Sequence, residues 1–213
     1  MNQNKFIYGE QFARILVEWI DTFRELSDED KFTAFQIFYH NKTQNAQLYK
    51  LYDCLKKNEE YMNNEGFIQY TLDKDYCILQ YGGMSLKLQK HVTMLLLSGI
   101  LELTDQLLPL GSVVTLNNNF NLDNKEKLYY IITHRFIVQD DMSGYFSYAG
   151  VPYPFGEMKD NRLLHFTIPA IDKVIFRGFS DDSDQAFILL MKENLLLRLK
   201  VHSVSFMKLY NNI

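Results

Sequence analysis

Apolar side chains recur at helical spacing through residues 10–25. Phe12, Ile15, Leu16, Trp19, Ile20 and Phe23 fall on one face, and Arg14, Glu18, Asp21 and Glu25 on the other. Ser27 has the chemistry of an N-cap, and the acids that follow it suit the positive end of a helix dipole. It predicts a second helix burying Phe32, Phe35, Phe38 and Tyr39. Thr43 predicts the cap of a third, running to about Asn58, with Leu48, Leu51, Tyr52 and Leu55 on one face. Residues 66–81 fit two readings. Phe67–Leu72 and Tyr76–Tyr81 pair as a hairpin across Asp73-Lys74-Asp75, or form short helices that end at Gly82-Gly83; period does not decide runs this short. From Met84 to Leu101 the spacing again predicts a helix, aligning Met84, Leu88, Val92, Leu95 and Leu96.

The pattern changes near residue 105. Leu108-Pro-Leu-Gly111 reads as a turn, and the β-branched Val113-Val114-Thr115 as the strand it feeds. Residues 117–124 are a polar, Asn-rich loop. Leu128–Val138 and Gly144–Ala149 predict two more strands, Val151–Gly156 a proline-punctuated loop, and Leu163–Phe166 and Val174–Phe176 two short strands around a helical turn at Ile168–Lys173. A last helix spans about Ser183–Lys200, with the acids 181–184 at its start. It is apolar around much of its circumference, which predicts burial on several sides. The pattern predicts an α+β protein in two parts. A helical bundle (1–105) packs on a small, bent antiparallel sheet or barrel-like domain (106–213), closed by the C-terminal helix.

Composition narrows the function. Among 213 residues, 16 Phe and 14 Tyr supply a large core and leave aromatics for a contact surface. Net charge is −4 with no Lys/Arg stripe, which argues against nucleic acid and favours a partner with a basic face. The apolar runs are far shorter than the roughly 20 residues of a membrane span, and the N-terminus has no signal core, so a soluble, cytoplasmic protein is expected. Cys54 and Cys77 read as reduced and buried.

Catalytic and metal patterns are missing. His40, His91, His134, His165 and His202 include no i, i+4 zinc pair. The acidic runs at 140–141 and 181–184 lack the alternation of a calcium loop, and Gly82-Gly83 suits a chain reversal better than a phosphate cradle. No G-x-S-x-G elbow is present. No catalytic residue, metal or cofactor is expected. The rival enzymatic reading is a hydrolase using His134 or His165 with nearby carboxylates.

Three segments carry a resemblance: Leu-Pro-Leu-Gly-Ser-Val-Val-Thr-Leu (108–116), Tyr-Ala-Gly-Val-Pro-Tyr-Pro-Phe-Gly (148–156) and Ile-Asp-Lys-Val-Ile-Phe-Arg-Gly-Phe-Ser-Asp (171–181). Over residues 108–187 the chain resembles an uncharacterised family encoded beside LXG toxins in Gram-positive type VII secretion loci. The resemblance implies an accessory that binds a toxin in the cytoplasm and keeps it export-ready, with Gly150, Pro152 and Gly156 as fold-keeping positions. The expected function is a non-enzymatic adaptor or targeting chaperone for an LXG-type toxin; an immunity protein is the alternative. The expected contact residues are Tyr145, Tyr148, Tyr153, Phe155, Asp181 and Asp182, and a second copy of the chain is a further candidate partner.

Overall fold

The computed structural model describes residues 3–61, 68–117, 128–157 and 163–206, with side chains from residue 9 onward. The expected loop at 117–124 lies outside them beyond Asn117. The fold is α+β and the chain divides into two compact units, Met1–Asp105 with Leu196–Arg198, and Gln106–Leu195 with Leu199–Ile213.

The first unit opens with α1 (Gln3–Asp21), α2 (Asp28–Asn41) and α3 (Asn45–Lys57). The apolar stripe of α1 is buried as its spacing requires, and its polar stripe is exposed. Ser27 caps α2, its hydroxyl accepting the Asp30 N–H at 3.1 Å, a contact worth about 1 kcal/mol. Phe38 is fully buried, but Phe32 stands exposed because it falls on the solvent side of α2. The cap position of α3 is Gln44, with no side-chain bond, and Thr43 precedes it.

Residues 69–89 form a three-stranded antiparallel sheet of β1 (Gln69–Asp73), β2 (Tyr76–Tyr81) and β3 (Met84–Gln89). The hairpin reading of 66–81 therefore holds for its described residues, and Gly82-Gly83, both at positive φ, turn the chain from β2 into β3. The helix expected from Met84 begins instead at Lys90. Leu86 and Leu88 are buried while Ser85, Lys87 and Gln89 are exposed, a period of two. The i, i+4 pair Met84 and Leu88 imitates helical spacing across what is a strand. The helix that follows, α4 (Lys90–Thr104), is buried along nearly its whole circumference. Trp19 donates its indole N–H to the Leu96 carbonyl at 3.1 Å, and Gly99 gives the ring room: a Cβ there would lie 2.3 Å from Trp19 Cε2.

The second unit is a five-stranded antiparallel sheet with spatial order β7-β6-β5-β4-β8. Its strands are β4 (Val113–Leu116), β5 (Tyr129–Val138), β6 (Tyr145–Tyr153), β7 (Leu164–Phe166) and β8 (Ile171–Phe176), with a 3₁₀ turn at Ile168–Ala170 before β8. Among the described residues β7 and β8 are the two edges of this antiparallel sheet. Val151–Tyr153, expected as loop, belong to β6: Val151 and Pro152 pair with Ile131 and Tyr130. Gly150 lies close against β5, where a Cβ would meet the Ile131 carbonyl at 2.7 Å. One face of the sheet supplies Val114, Leu116, Tyr130, Ile132, Tyr148 and Phe166 to a core that Ile188 and Leu195 close from the last helix.

That helix, α5 (Asp182–Glu193), continues as a π-helical segment, Asn194–Leu199. Asp181 caps it, accepting the Asp184 N–H at 2.8 Å. Against the expectation of burial on several sides, Ile188 and Leu189 are buried but Phe187 and Leu190 are exposed. Asp184 accepts from Arg135 of β5 at 2.5 Å, the two side chains being 18% and 7% exposed. It also accepts the Ser180 hydroxyl at 2.9 Å. The other terminal nitrogen of Arg135 is buried without a hydrogen-bond partner, and the guanidinium lies over the Phe187 ring at 5.9 Å.

Two predictions follow from this packing. Gly99→Ala should lower stability to urea, followed by circular dichroism, by about 1–3 kcal/mol, and a smaller ring at Trp19 should recover part of the loss. The Arg135 guanidinium holds the Asp184 carboxyl below its ordinary range. The pair therefore stabilises fully above pH ~4 and its contribution disappears as pH falls through the lowered native value. Asp184→Asn, which strands a buried cation, should cost about 3 kcal/mol at neutral pH and flatten the acid limb of the unfolding curve.

Candidate protein-binding surface

The register of the five-stranded sheet places its outward side chains. Val114 and Tyr130 pair and face the core, so their neighbours Val113 and Ile131, also paired, face away from it. Following that row across the sheet gives Phe176 of β8, Val113 of β4, Ile131 of β5 and Val151 of β6. A second outward row holds Thr115, Tyr129 and Tyr153. Phe176, Tyr129 and Tyr153 are exposed, Val113 and Ile131 are half-buried, and Thr115 and Val151 are buried. The open part of the side away from the core is thus apolar and aromatic, at Phe176 on one edge and at the Tyr129–Tyr153 pair.

The expected contact residues separate into two groups. Tyr153 and Phe155 are exposed beside the cis Tyr153–Pro154 bond, with Tyr153 directly opposite Tyr129. Asp181 and Asp182 are exposed at the start of α5. Tyr145 and Tyr148, by contrast, are core residues and offer no contact surface. Tyr148 is fully buried, accepts the Leu108 N–H at 2.7 Å and packs on Phe166. Tyr145 packs against Phe136, and its backbone bonds to His202 and Val204. Alternation along β6 was visible, but which tyrosines face inward depends on the partner strands. The same limit hid Tyr129, Ile131 and Val113, whose side is set by a register that links residues 113, 131, 151 and 176.

The first unit carries an apolar groove of about 290 Å³ between α1 and α2, lined by Val17, Ile20, Phe32, Phe35 and Gln36 with the Lys31–Asp21 pair, 3.3 Å apart. No histidine lines it. His134 and His165 both pair with Ala149 from opposite sides of β6, so they flank one residue of the sheet. The His134 Nδ1 is bonded to the Thr133 hydroxyl at 2.9 Å, and the His165 ring lies against Phe146. The acidic runs have local partners: Asp141 accepts from the Ser143 N–H and hydroxyl, Asp181 caps α5, and Asp184 pairs with Arg135. Cys77 is buried and Cys54 only half-buried; desolvation raises both thiols, away from the reactive thiolate. Among the described residues no group of three His, Cys, Asp or Glu is placed to hold a metal ion, and no helix is long and apolar enough to cross a membrane.

Residues 107–187 match the model of a domain of unknown function (DUF4176). The match takes in all five strands of the second unit and the start of α5. No curated protein and no solved structure matches the chain.

Exposure predicts opposite responses to substitution. Phe176→Ser and Phe155→Ser should change thermal stability by no more than about 0.5 kcal/mol. Tyr148→Phe, which strands the buried Leu108 N–H, should cost about 1–3 kcal/mol. Unfolding curves of the three variants against the parent chain decide it.

Proposed function

We propose that the chain is a non-enzymatic adaptor or targeting chaperone that holds an LXG-type toxin in the cytoplasm for export by a type VII secretion system. The observation that carries this reading is the outward face of the five-stranded sheet, where Phe176, Val113, Ile131, Tyr129 and Tyr153 gather. Contiguous apolar patches rimmed by polar residues are characteristic of protein contact sites. Tyrosine suits such a site, because its ring buries apolar area and its hydroxyl keeps a polar partner. The identity of the partner comes from the resemblance of residues 108–187 to accessories encoded beside LXG toxins. The modest acidity of the chain, −4 overall, suits a partner with a basic face.

A tagged chain expressed in its native host should retain an LXG-type toxin in stable proportion, identified by mass spectrometry. Ile131→Ser combined with Tyr129→Ser should reduce that recovery by roughly tenfold or more, and deleting the gene should abolish export of the toxin. Recovery of nothing but the chain itself sinks the proposal. Protection of cells that express the active toxin, with export unchanged by the deletion, would make the chain an immunity protein instead.

A further inference from the structure

Among the described residues β8 is the edge of its sheet, with β4 as its one strand neighbour. Three successive residues on it are apolar and open: Val174 is 48% exposed, Ile175 53% and Phe176 60%, and Phe179 just beyond is 84% exposed. Val174 pairs with core-facing Val114 and Phe176 with outward-facing Val113, Ile175 being the extra residue between them, so this edge is apolar above and below the sheet. A helix or a flat surface laid on one face would cover alternate residues and leave the others in water. A strand hydrogen-bonded alongside brings side chains against both faces at once.

Charge defines the occupant further. Lys173 and Arg177 bracket the apolar triplet, both are exposed, and neither is in an ion pair among the described residues. The acid of the strand, Asp172, lies 3.4 Å from the Thr115 hydroxyl of β4. The edge therefore presents an apolar centre flanked by two cations. A second copy of β8 fits it poorly. Two-fold antiparallel pairing centred on Ile175 sets Lys173 against Arg177, and centring on Val174 sets Asp172 against Phe176. Like charges opposed in a sheet are destabilising. The strand also skips Ile175 and Asp172 in its register with β4, and such bulges discourage indiscriminate edge pairing.

We propose that β8 receives an extended segment of the partner polypeptide as an added strand, and that this segment carries a short apolar run bracketed by acidic residues. The inference rests on the reading of the chain as a protein-binding accessory and names the part of the partner it holds. It is tested by panning a random dodecapeptide phage library against the full-length chain. Enriched peptides should carry apolar residues between Asp or Glu. Their affinity should fall roughly tenfold or more for Ile175→Pro, and likewise for Lys173→Glu combined with Arg177→Glu. Tyr76→Ser, at an exposed position on β2 of the first unit, should leave it unchanged. Ile175 has no partner in β4, and proline is tolerated at bulges of edge strands. If that variant nevertheless loses its circular dichroism, the charge-reversed variant decides. No enrichment, or enriched peptides that bind the variants as tightly as the parent, overturns the proposal. Peptide binding at β8 without toxin capture would keep the strand site and reject the export partner. Toxin capture without peptide binding would do the reverse.

Discussion

The ion pair between Arg135 and Asp184 sets the layout of the second unit. It joins the middle of β5 to the first turn of α5 across a poorly solvated gap, where a guanidinium left alone would be costly. With the first turn held there, Ile188 and Leu195 fall over Val114, Tyr130 and Tyr148 and close one side of the sheet. The helix is thereby committed to that side. Phe187 is drawn to the guanidinium and left partly in water, which explains why the last helix, apolar around most of its circumference, is not buried around most of it. Among the described residues α5 covers the core side of the sheet, and Tyr129, Tyr153 and Phe176 on the other side stay exposed.

What could be read from the chain was what depends on near neighbours. The α1 stripe, the Ser27 cap and the Leu48–Leu55 face of α3 each follow from residues within a few positions of one another, and each is found in place. The strands of the second unit were legible as runs of β-branched and aromatic residues. Short-range patterns also misled. Met84 and Leu88 have helical spacing but alternate in burial with their neighbours, and Pro152 and Pro154 suggested a loop where β6 continues to Tyr153. Phe32 satisfied the composition of a core helix but not the geometry of this one.

The surface was harder to read than the fold, for a related reason. Tyr145, Tyr148 and Tyr153 are alike in sequence context, and only the last reaches solvent. Inward and outward along β6 are fixed by pairing with β5 and β7, and those pairings join positions as much as 24 residues apart, as Tyr129 and Tyr153 are. The acids at 181 and 182 were legible as helix-start residues from the dipole argument, and Asp181 does cap α5. Arg135, the partner that matters most to that helix, lies 49 positions away and left no local signal.

The packing of Trp19 has a practical side. It is the sole tryptophan of the chain, and it sits buried in the first unit with its indole bonded to the Leu96 carbonyl. Indole fluorescence therefore samples the surroundings of one unit only, while far-ultraviolet dichroism averages over both. Melting curves that coincide by the two probes would mean that the units unfold as one cooperative body. Curves that separate would give each unit its own stability without cutting the chain.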